Sequence, residues 1–136
     1  MRKIILISHG NFAGGALSTL KLFTNQLSNI CAINAYTESC PNPEKALQEI
    51  FNSSEGQIIV FSDVLFGSVN QLLLPYLERP NTYIFSGFNL PMLLQLLSLP
   101  ENATEEEIAC LESEGKDGVV FMNRYQFPDL AGLEDE

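Results

Sequence analysis

The sequence predicts a doubly wound α/β fold, on three observations. Short β-branched runs alternate with helical stripes along the chain. The first run, Ile4-Ile5-Leu6-Ile7, is continuously apolar, as a parallel strand buried on both faces must be. It ends in Ser8-His9-Gly10, which carries the only histidine of the 136 residues. Open parallel sheets collect their ligand sites at strand carboxyl ends, so His9 is the first candidate for chemistry.

The elements follow in order. A first strand covers about Lys3 to Ser8, and Asn11 to Gly15 reads as a turn. Ala16, Leu17, Leu20, Leu22, Phe23 and Leu27 give a helical stripe closed by Asn29, and Ile30 to Tyr36 is a second strand. Asn42-Pro43-Glu44 opens a helix: Asn is a natural N-cap, Pro fits the first helical position and Glu suits the positive end of the dipole. Ala46, Leu47, Ile50 and Phe51 mark its buried face, and Gln57 to Ser62 is the third strand. Asp63 to Asn70 is a loop, Gln71 to Leu77 a short helix, and Thr82 to Ser86 the fourth strand. After a loop at Gly87 to Pro91, Met92 to Leu99 forms a very apolar helix. Thr104 with Glu107 fits a capping box for a last helix over Ala103 to Glu114. Gly115 to Gly118 turns the chain into a fifth strand, Val119 to Met122, before a tail over residues 123–136.

Right-handed crossovers with a strand order 2-1-3-4 place strands one and three side by side. Their helices leave on opposite faces and open a crevice between the two strand ends. His9 ends one strand and Asp63 the other. An Asp that accepts the Nδ1–H of a His fixes its tautomer and frees Nε2 as a nucleophile. Gly67-Ser68 opens the next helix, with backbone N–H groups and a hydroxyl as donors for an anion. Nucleophile, orienting carboxylate and anion cradle together suit phosphoryl transfer through phosphohistidine. Taken singly, each has a plainer reading: a strand-end histidine held by hydrogen bonds, an Asp that forms a turn, a Gly-Ser loop. Phe12 reads as core packing rather than as a stacking platform.

Composition narrows the classes. The formal net charge is −10, from 17 acidic and 7 basic side chains, which leaves no basic stripe for nucleic acid. Glu105-Glu106-Glu107, Glu112, Glu114 and Glu134-Asp135-Glu136 read as a solvated face and tail, or as a field that steers a basic partner. No apolar run approaches the roughly 20 residues of a membrane helix, and a cytoplasmic location is expected. Cys31, Cys40 and Cys110 lie far apart without a CxxC pattern, so free thiols are expected, with Cys31 as a small core residue. No metal or cofactor motif is visible.

Three stretches resemble one family. Ile4 to Gly15 resembles its apolar strand followed by Ser/Thr-His-Gly, an aromatic and Ala. Asp63-Val64-Leu65-Phe66-Gly67-Ser68-Val69-Asn70 resembles Asp-x-x-Gly-Gly-Ser, and Ser86 to Leu93 resembles Gly-Val-Asn-Leu/Ile-Pro-Met. The family is the mannose-type enzyme IIA domain of the bacterial sugar phosphotransferase system, and the resemblance spans residues 1–122. It implies that His9 accepts a phosphoryl group at Nε2 from the phosphocarrier HPr and passes it to an enzyme IIB domain on another chain. It further implies that Asp63 hydrogen-bonds His9 Nδ1, and that Gly10, Gly67 and Ser68 hold phosphoryl oxygens. The last strand is implied to lie antiparallel at the sheet edge, exchanged between subunits of a homodimer; such an exchange covers an exposed edge.

The sequence departs from the family pattern at Phe66, where the first of two glycines is usual. A position that needs φ > 0 strains Phe, and such strain alters the cradle or the choice of partner. Two other readings stay open: the phosphocarrier subunit of a dihydroxyacetone kinase system, and a regulatory module that senses phosphate without relaying it. A histidine phosphatase is disfavoured, since Ser8 rather than Arg stands beside His9 and basic residues are few.

Overall fold

The computed structural model describes residues 2–128. Four parallel strands, β1 (Lys3–His9), β2 (Ile30–Ala35), β3 (Ile58–Ser62) and β4 (Thr82–Ser86), form one sheet in the order β2-β1-β3-β4. Five helices cover it: α1 (Phe12–Leu20), α2 (Pro43–Ser53), α3 (Ser68–Leu73), α4 (Leu90–Ser98) and α5 (Glu105–Asp117).

Alternation along the central strands splits the core in two. Ile4 and Leu6 of β1, with Ile59 and Phe61 of β3, face α1, α4 and α5. Ile5 and Ile7, with Ile58 and Val60, face Leu47 and Phe51 of α2 and Val69 and Leu73 of α3. Each fully buried Ile, Leu or Phe contributes about 1.5–3 kcal/mol. Both faces of the two central strands are therefore committed to packing, which fixes their register and the place where they end. α1 lies on one face and α3 on the other, so the chain diverges between the ends of β1 and β3, as the predicted order requires.

The helix starts follow their caps. Asn42 Oδ1 accepts the Lys45 N–H at 3.2 Å ahead of Pro43, and both halves of the Thr104–Glu107 capping box form. Asn89 caps α4 through Met92 N–H and donates to Gly115 O at 2.7 Å, tying α4 to α5. α4 thus starts earlier than expected, at Leu90 with Pro91 in its first turn. α5 runs past Glu114 because Gly115 is the contact between the helices, where a Cβ would come within 2.6 Å of Met92 Sδ.

The first helix also differs from expectation. It begins at Phe12, inside the expected turn, and ends at Leu20. Two of its first-turn N–H groups are satisfied by remote side chains: Ala13 donates to Ser8 Oγ at 2.7 Å and Gly14 to Asn34 Oδ1 at 2.8 Å. A Cβ on Gly14 would lie 2.7 Å from Asn34 Nδ2, so glycine permits that approach. Leu22 and Phe23, expected on the buried stripe, lie beyond the helix end and are exposed.

The fifth strand does not form within this chain. Val119 to Phe121 have no regular structure, and Met122–Arg124 is a 3-10 turn. The backbone bonds of this segment are local, such as Val119 N–H to Lys116 O and Arg124 N–H to Phe121 O; it takes no ladder partner from the chain's own sheet. Residues 123–128 of the expected tail are described, and its acidic end, Glu134-Asp135-Glu136, lies outside the described residues. The three cysteines are free, with Cys31 partly buried against the α2–α3 side of the core. Among the described residues, no helix is long and apolar enough to cross a membrane.

Candidate functional site

His9 is the last residue of β1, and the chain turns immediately after it. Gly10 takes φ +61, a left-handed conformation that costs glycine little, and its N–H donates to Ala35 O of β2 at 3.1 Å. Packing on both faces of β1 therefore places the imidazole at the rim of the sheet, where its side chain is 45% exposed.

Asp63 follows β3 directly and reaches across to β1. Its Oδ2 accepts two hydrogen bonds from the same residue, the His9 backbone N–H at 2.8 Å and His9 Nδ1 at 2.8 Å. Its Oδ1 accepts the Val64 N–H at 2.9 Å. Burial alone would raise the Asp63 carboxyl. The His9 backbone N–H, the His9 ring and the Val64 N–H outweigh that effect and hold the group below the ordinary carboxylate value. A depressed carboxyl contributes stability above the unfolded carboxylate range and loses it as the pH falls through the folded value.

An ionised carboxylate only accepts, so the proton between the two side chains belongs to His9 Nδ1. In the neutral ring Nε2 then carries the lone pair. Ser68 Oγ lies 3.0 Å from Nε2 and donates its hydroxyl hydrogen to it. Both ring nitrogens are thus assigned, one to a charge and one to a rotatable hydroxyl.

Gly67 stands between these partners. A Cβ there would lie 3.3 Å from His9 Cε1 and 3.4 Å from Val64 O, so glycine leaves room for the ring. Its N–H donates to Val64 O at 3.3 Å. The two glycines expected to bind phosphoryl oxygens therefore use their own N–H groups within the fold, Gly10 on Ala35 O and Gly67 on Val64 O. Ser68 presents a rotatable hydroxyl, here on His9 Nε2. No side chain caps the first turn of α3, whereas Ser8 and Asn34 cap two N–H groups in that of α1.

Phe66 has φ +67 and is 85% exposed. The position expected to strain a non-glycine residue is in the left-handed region, at a cost of about 1–2 kcal/mol for Phe. Phe12, expected in the core, is more than half exposed, with its ring 5.2 Å from that of Phe88. Tyr36, at the end of β2, was not singled out by the sequence. Its ring centroid lies 5.7 Å from that of His9, and a residue that merely ends a strand carries no local signal of this. Among the described residues the only lysine or arginine ion pair is the exposed Lys116–Glu112 pair, so no lysine or arginine competes for Asp63.

With this geometry in view, residues 3–112 match the family model EIIA-man, the PTS system fructose IIA component. The chain belongs to this family. Solved structures agree with the assignment. A candidate phosphoenolpyruvate-dependent sugar phosphotransferase permease from Klebsiella pneumoniae shares 29% identity at a TM-score of 0.82, covering 90% of this chain and 92% of its own. The phosphotransferase system component EIIA from Streptococcus agalactiae shares 28% at a TM-score of 0.74, covering 92% and 100%. A PTS IIA protein associated with the fucose utilization operon of Streptococcus pneumoniae shares 25% at 0.70, covering 90% and 94%. No curated protein is similar enough in sequence to match. The chain is thus an EIIA-man-type component of the sugar phosphotransferase system, and His9, Asp63 and Ser68 lie within the matched residues.

The strain at Phe66 has a measurable consequence. Glycine relieves it but adds about 0.4–1 kcal/mol of unfolded-state entropy. Phe66→Gly is therefore expected to unfold in urea with a stability between that of the parent and about 1 kcal/mol above it. Phe66→Ala keeps the strain and is expected near the parent, at or up to about 1 kcal/mol below the glycine variant. A Phe66→Ala protein more stable than Phe66→Gly by about 0.4–1 kcal/mol would show that residue 66 is unstrained.

Proposed function

We propose that this IIA component is a phosphoryl carrier that takes a phosphoryl group from phospho-HPr onto His9 Nε2 and hands it to an enzyme IIB domain in the cytoplasm. One observation carries the reading. The only histidine of the chain has Nδ1 on a carboxylate and Nε2 on a hydroxyl, at an exposed strand end.

The step balances without an outside acid or base. The donor phosphoimidazole enters with its other ring nitrogen protonated; its P–N bond breaks as the Nε2 lone pair forms its own bond to phosphorus, and the donor keeps that proton and leaves as neutral imidazole. The His9 ring gains positive character, which the Asp63 carboxylate offsets through the Nδ1–H it already accepts. The Ser68 hydroxyl turns from Nε2 to an incoming phosphoryl oxygen. The reverse sequence delivers the group to the next carrier. Since phosphoryl transfer asks mainly for positioning and electrostatics, an orienting carboxylate and a mobile donor supply what the chain must. The family assignment favours the sugar system over the dihydroxyacetone kinase system. The strained Phe66 is the one observation that favours a sensing module instead.

Phosphoenolpyruvate, enzyme I and HPr supply the test. The protein is expected to gain one acid-labile phosphoryl group by intact mass, and His9→Ala none. Asp63→Asn is expected to accept it roughly 10- to 150-fold more slowly, the equivalent of losing about 1.5–3 kcal/mol from a charged hydrogen bond. No mass gain with active partners supports the sensing module; an unchanged rate in Asp63→Asn removes the orienting role.

The same reading includes a homodimer in which Val119 to Met122 adds antiparallel to the β4 edge of a second copy. Two observations support it. Val119, Phe121 and Met122 are exposed apolar side chains without a place in their own chain's core. Apolar grooves of about 530 and 690 Å³ flank β4, one lined by Leu65, Phe88 and Met92 and the other by Phe66, Leu73 and Leu77. Added strands satisfy an open edge. Sedimentation is expected to give a dimer for the full chain and a monomer for one ended after Gly118; a monomeric full chain contradicts the exchange.

A further inference from the structure

Three non-glycine residues among those described have left-handed backbones: Tyr36 at φ 64, Phe66 at φ 67 and Asn81 at φ 58. Asn81 belongs to a residue type that tolerates the region, and it precedes β4 at the far end of the sheet. The other two are bulky aromatics, both at the carboxyl ends of the strands. Strain of this kind persists only where the surroundings impose it, and it gathers at functional sites.

For Tyr36 the surroundings can be named. Its N–H donates to Cys40 O at 3.0 Å, and the Cys40 N–H returns to Thr37 O at 3.1 Å. The Thr37 hydroxyl donates to Asn34 O at 2.7 Å and lies 2.9 Å from Ser39 Oγ. Asn34 in turn accepts the Gly14 N–H of α1. Residues 36–40 therefore form a small closed loop locked to β2 and α1. The loop sets the Tyr36 ring 5.7 Å from the His9 ring at a 42° tilt. β1 and β2 are in register here, with His9 opposite Ala35, so the phenol has little choice of neighbour.

The imidazole is then bounded by known groups. Asp63 holds Nδ1, Ser68 meets Nε2, Gly67 leaves space at the Cε1 edge, and Tyr36 packs beside the ring. A swing of the side chain toward solvent about χ1 would break both nitrogen hydrogen bonds, and the side chain is 45% exposed at the rim of the sheet. We infer that Tyr36 is a positioning residue for His9: its ring blocks that swing and keeps Nδ1 on Asp63, so that Nε2 alone faces a partner. This role rests on the reading of His9 as the phosphoryl carrier. It also explains why the chain holds a large aromatic in a conformation that glycine would adopt freely.

The strain makes the test clean. Tyr36→Gly suits φ 64 and folds, yet removes the ring; Tyr36→Phe keeps the ring without the hydroxyl. His9 is the only histidine, so a long-range proton–nitrogen spectrum of the full-length protein reports one imidazole. In mildly alkaline buffer the parent and Tyr36→Phe are expected to show a single Nδ1–H tautomer. Tyr36→Gly is expected to shift both ring nitrogens toward the average of two tautomers. It is also expected to accept a phosphoryl group from phospho-HPr about 10- to 100-fold more slowly, as loss of alignment predicts. Unchanged resonances and rate in Tyr36→Gly overturn the inference, as does a Tyr36→Phe variant that behaves like the glycine one. A tautomer shift in Tyr36→Gly, found in a protein whose parent takes up no phosphoryl group, supports the positioning role and removes only the relay.

Discussion

One oxygen atom organises the site. Asp63 Oδ2 accepts both the backbone N–H and the Nδ1–H of His9, so a single carboxylate oxygen ties the end of β3 to the end of β1 and fixes the imidazole at the same time. The backbone bond keeps the carboxylate in place even when the ring moves. The ring bond decides the tautomer. Because the three N–H donors outweigh the cost of burying Asp63, the group stays ionised and acceptor-only, and the assignment of Nε2 as the free nitrogen follows from it.

The fold exists, for this purpose, to bring two strand ends together. β1 and β3 are each packed on both faces, and α1 and α3 leave them in opposite directions. That divergence is what opens a crevice at the carboxyl edge. Ser8 and Asn34 then satisfy two N–H groups in the first turn of α1, while no side chain caps α3. The two helix starts at the crevice are therefore inequivalent: side chains take two first-turn N–H groups of α1 and none of α3.

The strand order and the meeting of His9 with Asp63 at neighbouring strand ends were legible in the sequence because each rests on a local signal: a continuous apolar run, a polar residue at its end, a crossover rule. The helix starts marked by Asn42-Pro43 and by Thr104 with Glu107 were legible for the same reason. α1 was not, since its caps come from Ser8 and Asn34, which only the folded sheet brings near. Asn89-Leu90-Pro91 repeats the Asn-cap-and-Pro signal and was masked by the preceding Gly87. Gly115 looked like a helix stop, yet its role is to let α5 meet Met92, a fact about a tertiary contact. Gly10 turns the chain at φ +61 with its N–H on Ala35 O, and Gly67, its N–H on Val64 O, makes room for the ring; both contacts arise only in the folded sheet. Tyr36 had no signature at all, because its place beside His9 depends on strand register and on a five-residue loop closed by its own hydrogen bonds.

The most direct test of the account is the site of phosphorylation on the ring. Protein labelled with nitrogen-15 in histidine, charged through enzyme I and HPr, would reveal by phosphorus–nitrogen coupling which nitrogen bears the group. The account predicts phosphorus on Nε2 of His9, with Nδ1 still protonated against Asp63. Phosphorus on Nδ1, or on any other residue, would contradict it.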